Sequence, residues 1–144
     1  MEIETTKGRK KQGNEEMKKL STFRFRRFPV YIDSLDFIRE VKRFTKSNFP
    51  KSEQFGLTNQ LWRALDSIVL NIAEGTDKYS NIEFSRFLNH SIGSLNEVVA
   101  CLDLALKEKY IKQGKHEEFL QKADNLYRQL KALSSSIRNR FKIS

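Results

Sequence analysis

The chain has 144 residues, which is enough for one domain that buries about two thirds of its unfolded surface. Its formal net charge of +9 favours an anionic partner, usually nucleic acid and less often an anionic membrane, without constraining the fold. The single cysteine, Cys101, excludes an internal disulfide and is typical of a reducing compartment. Because the sequence has no signal peptide and no apolar run of about 20 residues, we expect a cytoplasmic protein with no membrane partner.

Residues 1–22 form a polar, charged segment with few apolar side chains. Such a segment buries too little apolar surface to offset the entropy lost on ordering, so a disordered basic N-terminal arm is predicted. Residues 23–144 are predicted to form the folded domain. At its start, Phe23, Phe25 and Phe28 alternate with arginines, and the rings are predicted to pack on the domain while the arginines point outward. Stacking of these rings on exposed bases is the alternative.

The first two predicted helices cover residues 30–46 and 57–74, where apolar side chains recur at helical spacing. Phe49-Pro50 ends the first helix, because the residue before a proline is disfavoured in the helical conformation. Gly75 is predicted to end the second helix by taking the left-handed conformation. The predicted apolar stripes are Tyr31, Leu35, Ile38 and Val41 or Phe44 on the first helix, and Leu57, Leu61, Leu65, Ile68 and Ile72 on the second.

The third and fourth predicted helices are long and carry a sustained heptad pattern. The third opens with Ser80-Asn81-Ile82-Glu83, which has the form of a capping box, and ends near residues 109–112. The fourth covers residues 115–141. The predicted seams are Phe84, Leu88, Ser91, Leu95, Val98, Leu102 and Ala105 on the third helix, and Phe119, Ala123, Leu126, Leu130, Leu133 and Ile137 on the fourth.

Short loops between long helices favour antiparallel neighbours. The predicted fold is therefore all-α, an antiparallel up-down-up-down four-helix bundle with a disordered basic N-terminal arm. Gly93 and Ser94 lie inside the third helix and lower its helix propensity, so they are predicted to mark a close approach of a neighbouring backbone.

Basic side chains concentrate toward both ends of the chain, and these are the candidate nucleic-acid-binding residues. Each phosphate that they neutralise releases condensed counterions and strengthens binding at low salt. For the fourth helix the alternative is solubility plus favourable interaction with the helix C-terminus. Because no base-reading motif accompanies the charge, binding should depend on shape and backbone. The candidates are Lys7, Arg9, Lys10, Lys11, Lys18, Lys19, Arg24, Arg26, Arg27, Arg128, Lys131, Arg138, Arg140 and Lys142.

The remaining polar residues do not form a pattern suited to catalysis. The two histidines, His90 and His116, and Cys101 show no metal-site or triad spacing, and no glycine-rich phosphate loop is present. Asn71 is predicted to be a buried polar group that fixes helix register, and Glu74 to pair with a basic neighbour or a backbone donor. We therefore expect a protein that is not an enzyme and that has no cofactor and no metal.

Several short motifs resemble the bacterial four-helix-bundle proteins encoded within 23S rRNA intervening sequences. The resemblance covers roughly residues 28–140 and implies a small non-enzymatic bundle that forms ring-shaped homopentamers. The accessory variability determinant of diversity-generating retroelements is similar in fold, and it is a basic pentamer that binds a reverse transcriptase and its template RNA. The motifs are Phe55-Gly56-Leu57-Thr58-Asn59-Gln60-Leu61, Arg63-Ala64, Ser67-Ile68, Asn71-Ile72-Ala73-Glu74-Gly75, Glu83-Phe84, Arg86-Phe87-Leu88, Gly93-Ser94-Leu95, Glu97 and Tyr110-Ile111.

The hypothesis from sequence is a non-enzymatic homo-oligomer, pentameric as the resemblance implies, that binds RNA or another nucleic acid through its basic surfaces. One alternative is an accessory adaptor subunit of a diversity-generating retroelement reverse transcriptase, docking on the enzyme and its template RNA. A surplus of aromatic residues beyond the core stripes would suit either a subunit interface or such a partner. A third possibility is a bundle without a ligand, whose charge serves solubility alone.

Overall fold

The computed structural model describes residues 21–143 and the side chains of residues 22–139. Of the arm predicted over residues 1–22, all but the last two residues lie outside the described residues. A 3₁₀ segment at Ser21–Arg27, called here the lead-in turn, precedes the first helix, and a second 3₁₀ turn lies at Lys51–Glu53. The helices are α1 (Pro29–Asn48), α2 (Leu57–Thr76), α3 (Asn81–Lys107) and α4 (Gln113–Ile143).

The four helices form an antiparallel bundle, which confirms the predicted fold class. Side-chain hydrogen bonds join each helix to the next and join α4 back to α1. In every helix pair, later positions on one helix face earlier positions on the other. The bonds are Trp62 Nε1 to Thr45 Oγ1 at 2.8 Å, Ser91 Oγ to the Ile68 carbonyl at 2.8 Å, Ser85 Oγ with Ser134 Oγ at 2.6 Å, and Lys122 Nζ to Glu40 Oε2 at 2.7 Å.

The core follows the predicted seams of α2, α3 and α4. Every predicted stripe position on α2 and α3 is buried, and on α4 only Leu133 is half-buried. Ser80 caps the N-terminus of α3 as predicted, since its side chain accepts a hydrogen bond of 3.1 Å from the Glu83 backbone N–H. The long heptad pattern therefore predicted both the helices and the faces that they bury.

The predicted stripe of α1 is wrong at Leu35, whose side chain is 43% exposed. Two hydroxyl residues, Ser34 and Thr45, occupy fully buried positions on this helix, so an apolar pattern could not identify its inner face. Pro29 is the first helical residue, a position where a missing N–H costs nothing. The buried face consists of Val30, Ser34, Phe37, Ile38, Val41 and Thr45.

Gly75 does not end α2, so that prediction is wrong. The helix continues to Thr76, and Gly75 is a buried residue within it. A Cβ atom added at Gly75 would lie 2.6 Å from the Cβ of Phe87 on α3, well inside van der Waals contact. The glycine is therefore required by the close crossing of α2 and α3, and a left-handed turn has no part in it.

The predicted close approach at Gly93 is also wrong, since no atom of the described residues lies within 4 Å of a Cβ placed there. Gly93 is exposed because its position on α3 faces away from the core. The next residue does contact a neighbour: Ser94 Oγ donates a hydrogen bond of 2.7 Å to Ser67 Oγ on α2.

The C-terminus of α3 closes with a Schellman motif, slightly before the predicted end. Lys109 has a positive φ of 62° and its N–H donates to the Leu106 carbonyl at 3.1 Å. The N–H of Tyr110 donates to the Ala105 carbonyl at 2.9 Å. These two bonds satisfy carbonyls that the helix end would otherwise leave without partners. The left-handed position is occupied by a lysine, although glycine is the residue best suited to it.

Candidate nucleic-acid interface

The lead-in turn is anchored to one end of the bundle by its own Phe25 and by Phe28, the residue that follows it. The Phe28 ring stacks on Phe84 of α3 at a centroid distance of 6.4 Å, and Phe25 meets Tyr31 edge-on at 5.1 Å. Phe23 is 53% exposed, so the prediction that these rings pack on the bundle is confirmed for Phe25 and Phe28 and wrong for Phe23. The turn therefore holds its arginines at a defined place.

Arg24 is tied to the end of α2. Its Nη2 donates a hydrogen bond of 2.7 Å to the carbonyl of Thr76, the last residue of that helix, and its guanidinium lies 5.8 Å from the Phe84 ring centroid. A cation at a helix C-terminus interacts favourably with the helix dipole. Among the other candidates in the turn, Arg27 is exposed and Arg26 is half-buried.

Arg138 of α4 lies at the same end of the bundle. Ser134, one helical turn earlier, shares a buried hydrogen bond of 2.6 Å with Ser85 in the first turns of α3. Phe84, on which the lead-in turn packs, is adjacent to Ser85 in the chain. The antiparallel topology therefore brings the exposed Arg138 toward Arg26 and Arg27, although more than 100 positions of sequence separate them.

The other candidates on α4 lie further along the helix. Arg128 forms an ion pair of 3.0 Å with Asp124, one turn away on the same helix, and the ammonium of Lys131 lies 5.6 Å from the Tyr127 ring centroid. Both basic side chains are exposed on the outward side of α4, as is that of Arg138. At a rise of 1.5 Å per residue, Lys131 is about 10 Å from Arg138 along the helix.

The other candidates from the sequence fall outside the side chains that the structure describes. These are the arm residues Lys7, Arg9, Lys10, Lys11, Lys18 and Lys19, together with Arg140 and Lys142 near the C-terminus. The structure thus places the lead-in arginines and Arg138 at the same end of the bundle.

Sequence reasoning missed a second basic surface, on α1. Arg39, Lys42, Arg43 and Lys46 occur at spacings of three, four and seven residues, which place four cations on one side of the helix. These side chains border a groove of about 440 Å³ beside Trp62 of α2. The spacing is visible in the sequence, whereas the predicted candidates lie toward the two ends of the chain.

A larger open groove of about 1040 Å³ runs between α2 and α3, at the end of the pair that includes the start of α2. Its walls are mostly polar, and Gln60 Nε2 donates a hydrogen bond of 3.3 Å to Glu97 across it. Two apolar side chains at its edge are well exposed, Phe55 at 88% and Leu104 at 55%. We call this depression the α2–α3 groove.

The polar residues at the end of α2 have structural roles. Glu74 pairs with Lys78 at 3.2 Å, as predicted. Asn71 is half-buried, and its Nδ2 donates to the carbonyl and to the Oγ of Ser67, each at 2.9 Å. The prediction that Asn71 is a buried group that fixes the register between helices is therefore wrong, because both of its bonds stay within α2. Buried serine hydroxyls, such as that of Ser91, make the contacts between helices instead.

The described residues show no arrangement suited to nucleophilic or metal chemistry. Cys101 is buried, and burial together with the nearby Glu97 raises the pKa of its thiol. A thiol with a raised pKa carries little thiolate at neutral pH. No group of three or more His, Cys, Asp or Glu side chains in the described range could hold a metal ion. Within the same range, none of the helices has both the length and the apolar character needed to cross a membrane.

The fold and its surface define a class of protein: an antiparallel four-helix bundle with a basic end and an open polar groove between its second and third helices. The chain belongs to the 23S rRNA-intervening sequence protein family, whose family model matches residues 26–132. No curated protein matches the sequence.

The same architecture occurs in a solved structure from Bacteroides thetaiotaomicron, a protein of unknown function from the S23 ribosomal protein family. The two structures superpose with a TM-score of 0.67 at 24% sequence identity, over 74% of this chain and 95% of that one. At this identity the likeness establishes a shared fold and nothing about activity.

Proposed function

We propose that this chain is a non-enzymatic, homo-oligomeric four-helix bundle that binds RNA through its basic surfaces. The observation that carries the proposal is that Arg26, Arg27 and Arg138, from the two extremities of the domain, lie at the same end of the bundle. The family takes its name from an intervening sequence of 23S rRNA, which supports RNA as the polyanion.

The anchoring of the lead-in turn supports such a role. Phe28 fixes the turn against α3, and Arg24 fixes it against the end of α2, so Arg26 and Arg27 are positioned before any ligand arrives. Preorganised cations lose less conformational freedom on binding than cations on an unanchored chain. They would contact phosphates, which fix position and orientation without reading sequence.

The net charge of the chain supports the same proposal. Each copy carries a formal charge of +9, so an assembly of several copies concentrates like charges that repel one another. A bound polyanion relieves this repulsion and gains entropy through the release of its condensed counterions.

We further propose that the assembly is a pentamer, formed through the α2–α3 groove. Phe55 and Leu104 expose apolar surface at the edge of the groove, next to polar groups such as Gln60 and Glu97 that can hydrogen-bond across an interface. A closed ring needs two different surfaces of each copy to meet, and a groove offers a concave surface for one side of that contact.

The RNA proposal is tested by measuring affinity for a fluorescently labelled RNA hairpin across a salt series. We expect log affinity to fall steeply as log salt rises, and R26Q/R27Q to make that slope shallower by about 1–2. The matched control is K107Q/K112Q, which removes the same charge from exposed lysines near the other end of the bundle. Binding without a salt slope, or equal effects of the two double variants, would contradict a role for the lead-in arginines.

The assembly is tested by light scattering on the full chain, with an expected mass of five chains. Leu104→Glu places a charge at the edge of the α2–α3 groove and should reduce the mass to that of a smaller species. Leu70→Glu is the control, since Leu70 is an exposed apolar residue of α2 that does not line the groove. Equal masses for the two variants would exclude the groove as the contact surface.

The adaptor hypothesis has one observation in its favour, the nearly complete exposure of two aromatic side chains, Phe55 and Tyr79. Exposed aromatic residues are enriched where proteins meet. If the chain is an adaptor for a reverse transcriptase, purification from its host should recover that enzyme, and F55A/Y79A should abolish the recovery. Recovery of RNA without a protein partner would contradict this hypothesis and leave the RNA-binding proposal standing.

A further inference from the structure

The basic surface of α1 is a groove with an aromatic side wall. Its cations come from Arg39, Lys42, Arg43 and Lys46, which lie along a single side of the helix. The apolar lining comes from α1 and from Trp62 of α2, and the groove has a volume of about 440 Å³. One lining residue, Leu35, is 43% exposed, so part of the apolar lining is open to solvent.

Trp62 is held in place by its own hydrogen bond. The indole N–H donates to Thr45 Oγ1 at 2.8 Å, and that hydroxyl donates in turn to the Lys42 carbonyl at 2.9 Å. The ammonium groups of Lys42 and Lys46 lie 5.2 Å and 5.8 Å from the ring centroid, within the range of cation–π attraction. The ring is therefore fixed in orientation, half-buried and bordered by cations.

The charge of the groove is strongly positive. Among the described residues only one carboxylate forms an ion pair with a cation of the groove, that of Asp66, which contacts Lys42 Nζ at 2.6 Å. Asp36 and Glu40 lie near Arg39 and Arg43 on the other side of α1, where Glu40 is bound by Lys122 at 2.7 Å. Within the described residues, Arg39, Arg43 and Lys46 thus have no carboxylate in an ion pair and can bind an external anion.

The spacing of these cations fits the backbone of a nucleic acid strand. Arg39 and Lys46 are about 10 Å apart along α1, since each residue rises 1.5 Å. Cations spread over this length can contact successive phosphates of one extended strand. Aromatic rings beside a cationic track are typical of proteins that bind single strands, where each base offers a face for stacking.

We propose that this groove binds single-stranded RNA, with Arg39, Arg43 and Lys46 on phosphates and one base stacked against Trp62. In the bound state the ammonium groups of Lys42 and Lys46 turn away from the ring, that of Lys46 to a phosphate, and the base takes their place. This inference rests on the proposed RNA-binding function and adds to it a second contact surface, away from the lead-in turn.

The experiment uses the full chain and a labelled oligouridylate of about 12 nucleotides. Trp62 is the only tryptophan in the chain, so its fluorescence reports on the groove alone. We expect the RNA to quench this emission. R39Q/R43Q should weaken binding about tenfold at moderate salt and reduce the salt slope by about 1.4, for two single-strand phosphates. K107Q/K112Q removes the same charge and should change the affinity less than about threefold.

A second pair of variants separates stacking from charge. W62L removes the aromatic ring but keeps an apolar side chain, and it should weaken binding about tenfold. W62F keeps a smaller aromatic ring and loses the hydrogen bond to Thr45, so its affinity should stay within about threefold of the original. Equal losses in W62L and W62F would show that the ring does not stack on a base.

The outcomes distinguish this inference from the function on which it rests. If RNA binds without changing Trp62 emission, and if R39Q/R43Q and K107Q/K112Q have equal affinities for it, the groove is not the binding site. The proposed function would then stay intact. No RNA binding by the unmodified chain at low salt would overturn both. A change of Trp62 emission with a polyglutamate peptide but not with RNA would assign the groove to an acidic protein segment and would also overturn the inference.

Discussion

The two halves of the α2–α3 pair are built in different ways. At the closed half, near the turn between the helices, Gly75 meets Phe87 closely and Ser91 bonds to the Ile68 carbonyl in the buried core. At the grooved half, the same helices are separated at the surface by an open depression whose side chains are mostly polar. The closed half fixes the geometry of the helix pair, and the grooved half leaves surface that can contact a partner.

The largest effect on stability is expected at the closed half, from Gly75→Ala. The added methyl group would overlap the Cβ of Phe87, and overpacking of this kind costs about 1–3 kcal/mol, more than the roughly 1 kcal/mol that alanine gains in helix propensity. We expect the free energy of unfolding in urea to fall by up to about 2 kcal/mol, which is the overpacking cost less the gain in helix propensity. An unchanged or increased stability would show that α2 and α3 separate easily at this crossing.

The matched glycine is Gly93, which lies on α3 near the border of the groove and is open to solvent. Gly93→Ala should raise the free energy of unfolding by about 1 kcal/mol, through helix propensity alone. Light scattering on the same variant tests whether a neighbouring subunit covers this surface. A stabilised chain with a reduced assembly mass would place a neighbouring subunit against Gly93, whereas an unchanged mass would leave this surface outside the interface.

The buried hydroxyl of the closed half is expected to contribute less than the glycine. Ser91→Ala removes the hydrogen bond to the Ile68 carbonyl and should lower the free energy of unfolding by about 1 kcal/mol. Ser94→Ala, which removes the half-exposed contact with Ser67, is the control and should cost less than about 0.5 kcal/mol. Equal losses for the two serines would mean that burial does not strengthen this contact.

The smallest effect on stability is expected beside the grooved half, at the end of α3. Lys109→Gly replaces a side chain in the left-handed conformation and should raise the free energy of unfolding by about 0.5–1 kcal/mol. Lys109→Ala removes the charge while keeping the backbone strain, so it should leave stability nearly unchanged. If alanine stabilises the chain as much as glycine does, charge repulsion among the basic residues is the cause.

Much of the fold could be predicted from the sequence because α3 and α4 repeat their apolar spacing over many turns. A pattern of that length leaves few alternative faces to bury. The inner face of α1 could not be found in this way, because Ser34 and Thr45 are buried there and Leu35 is exposed. Thr45 Oγ1 accepts a hydrogen bond from Trp62 of α2, a partner that is known only after the helices are packed. Ser34 Oγ has no hydrogen-bond partner among the described residues, so no polar partner explains its place in the core.

Gly75 shows a second feature that the sequence alone does not decide. A glycine near the end of a helix suits both a left-handed closure and a close helix crossing. Only the position of Phe87, twelve residues later in the chain, decides between the two. The candidate interface has the same property: the sequence shows that Arg27 and Arg138 are basic, but their place at the same end of the bundle follows from the antiparallel topology. The basic surface of α1 is different, because the helical spacing of its cations can be read from the sequence without the fold.

The contact at Gly75 also restricts how the sequence can change over time. The nearest atom to an added methyl group is the Cβ of Phe87, which every residue except glycine possesses. A smaller side chain at position 87 would therefore not make room for alanine at position 75. At this spacing one of the two helices must carry a glycine, and an exchange of roles between them would have to pass through an intermediate with glycine at both sites.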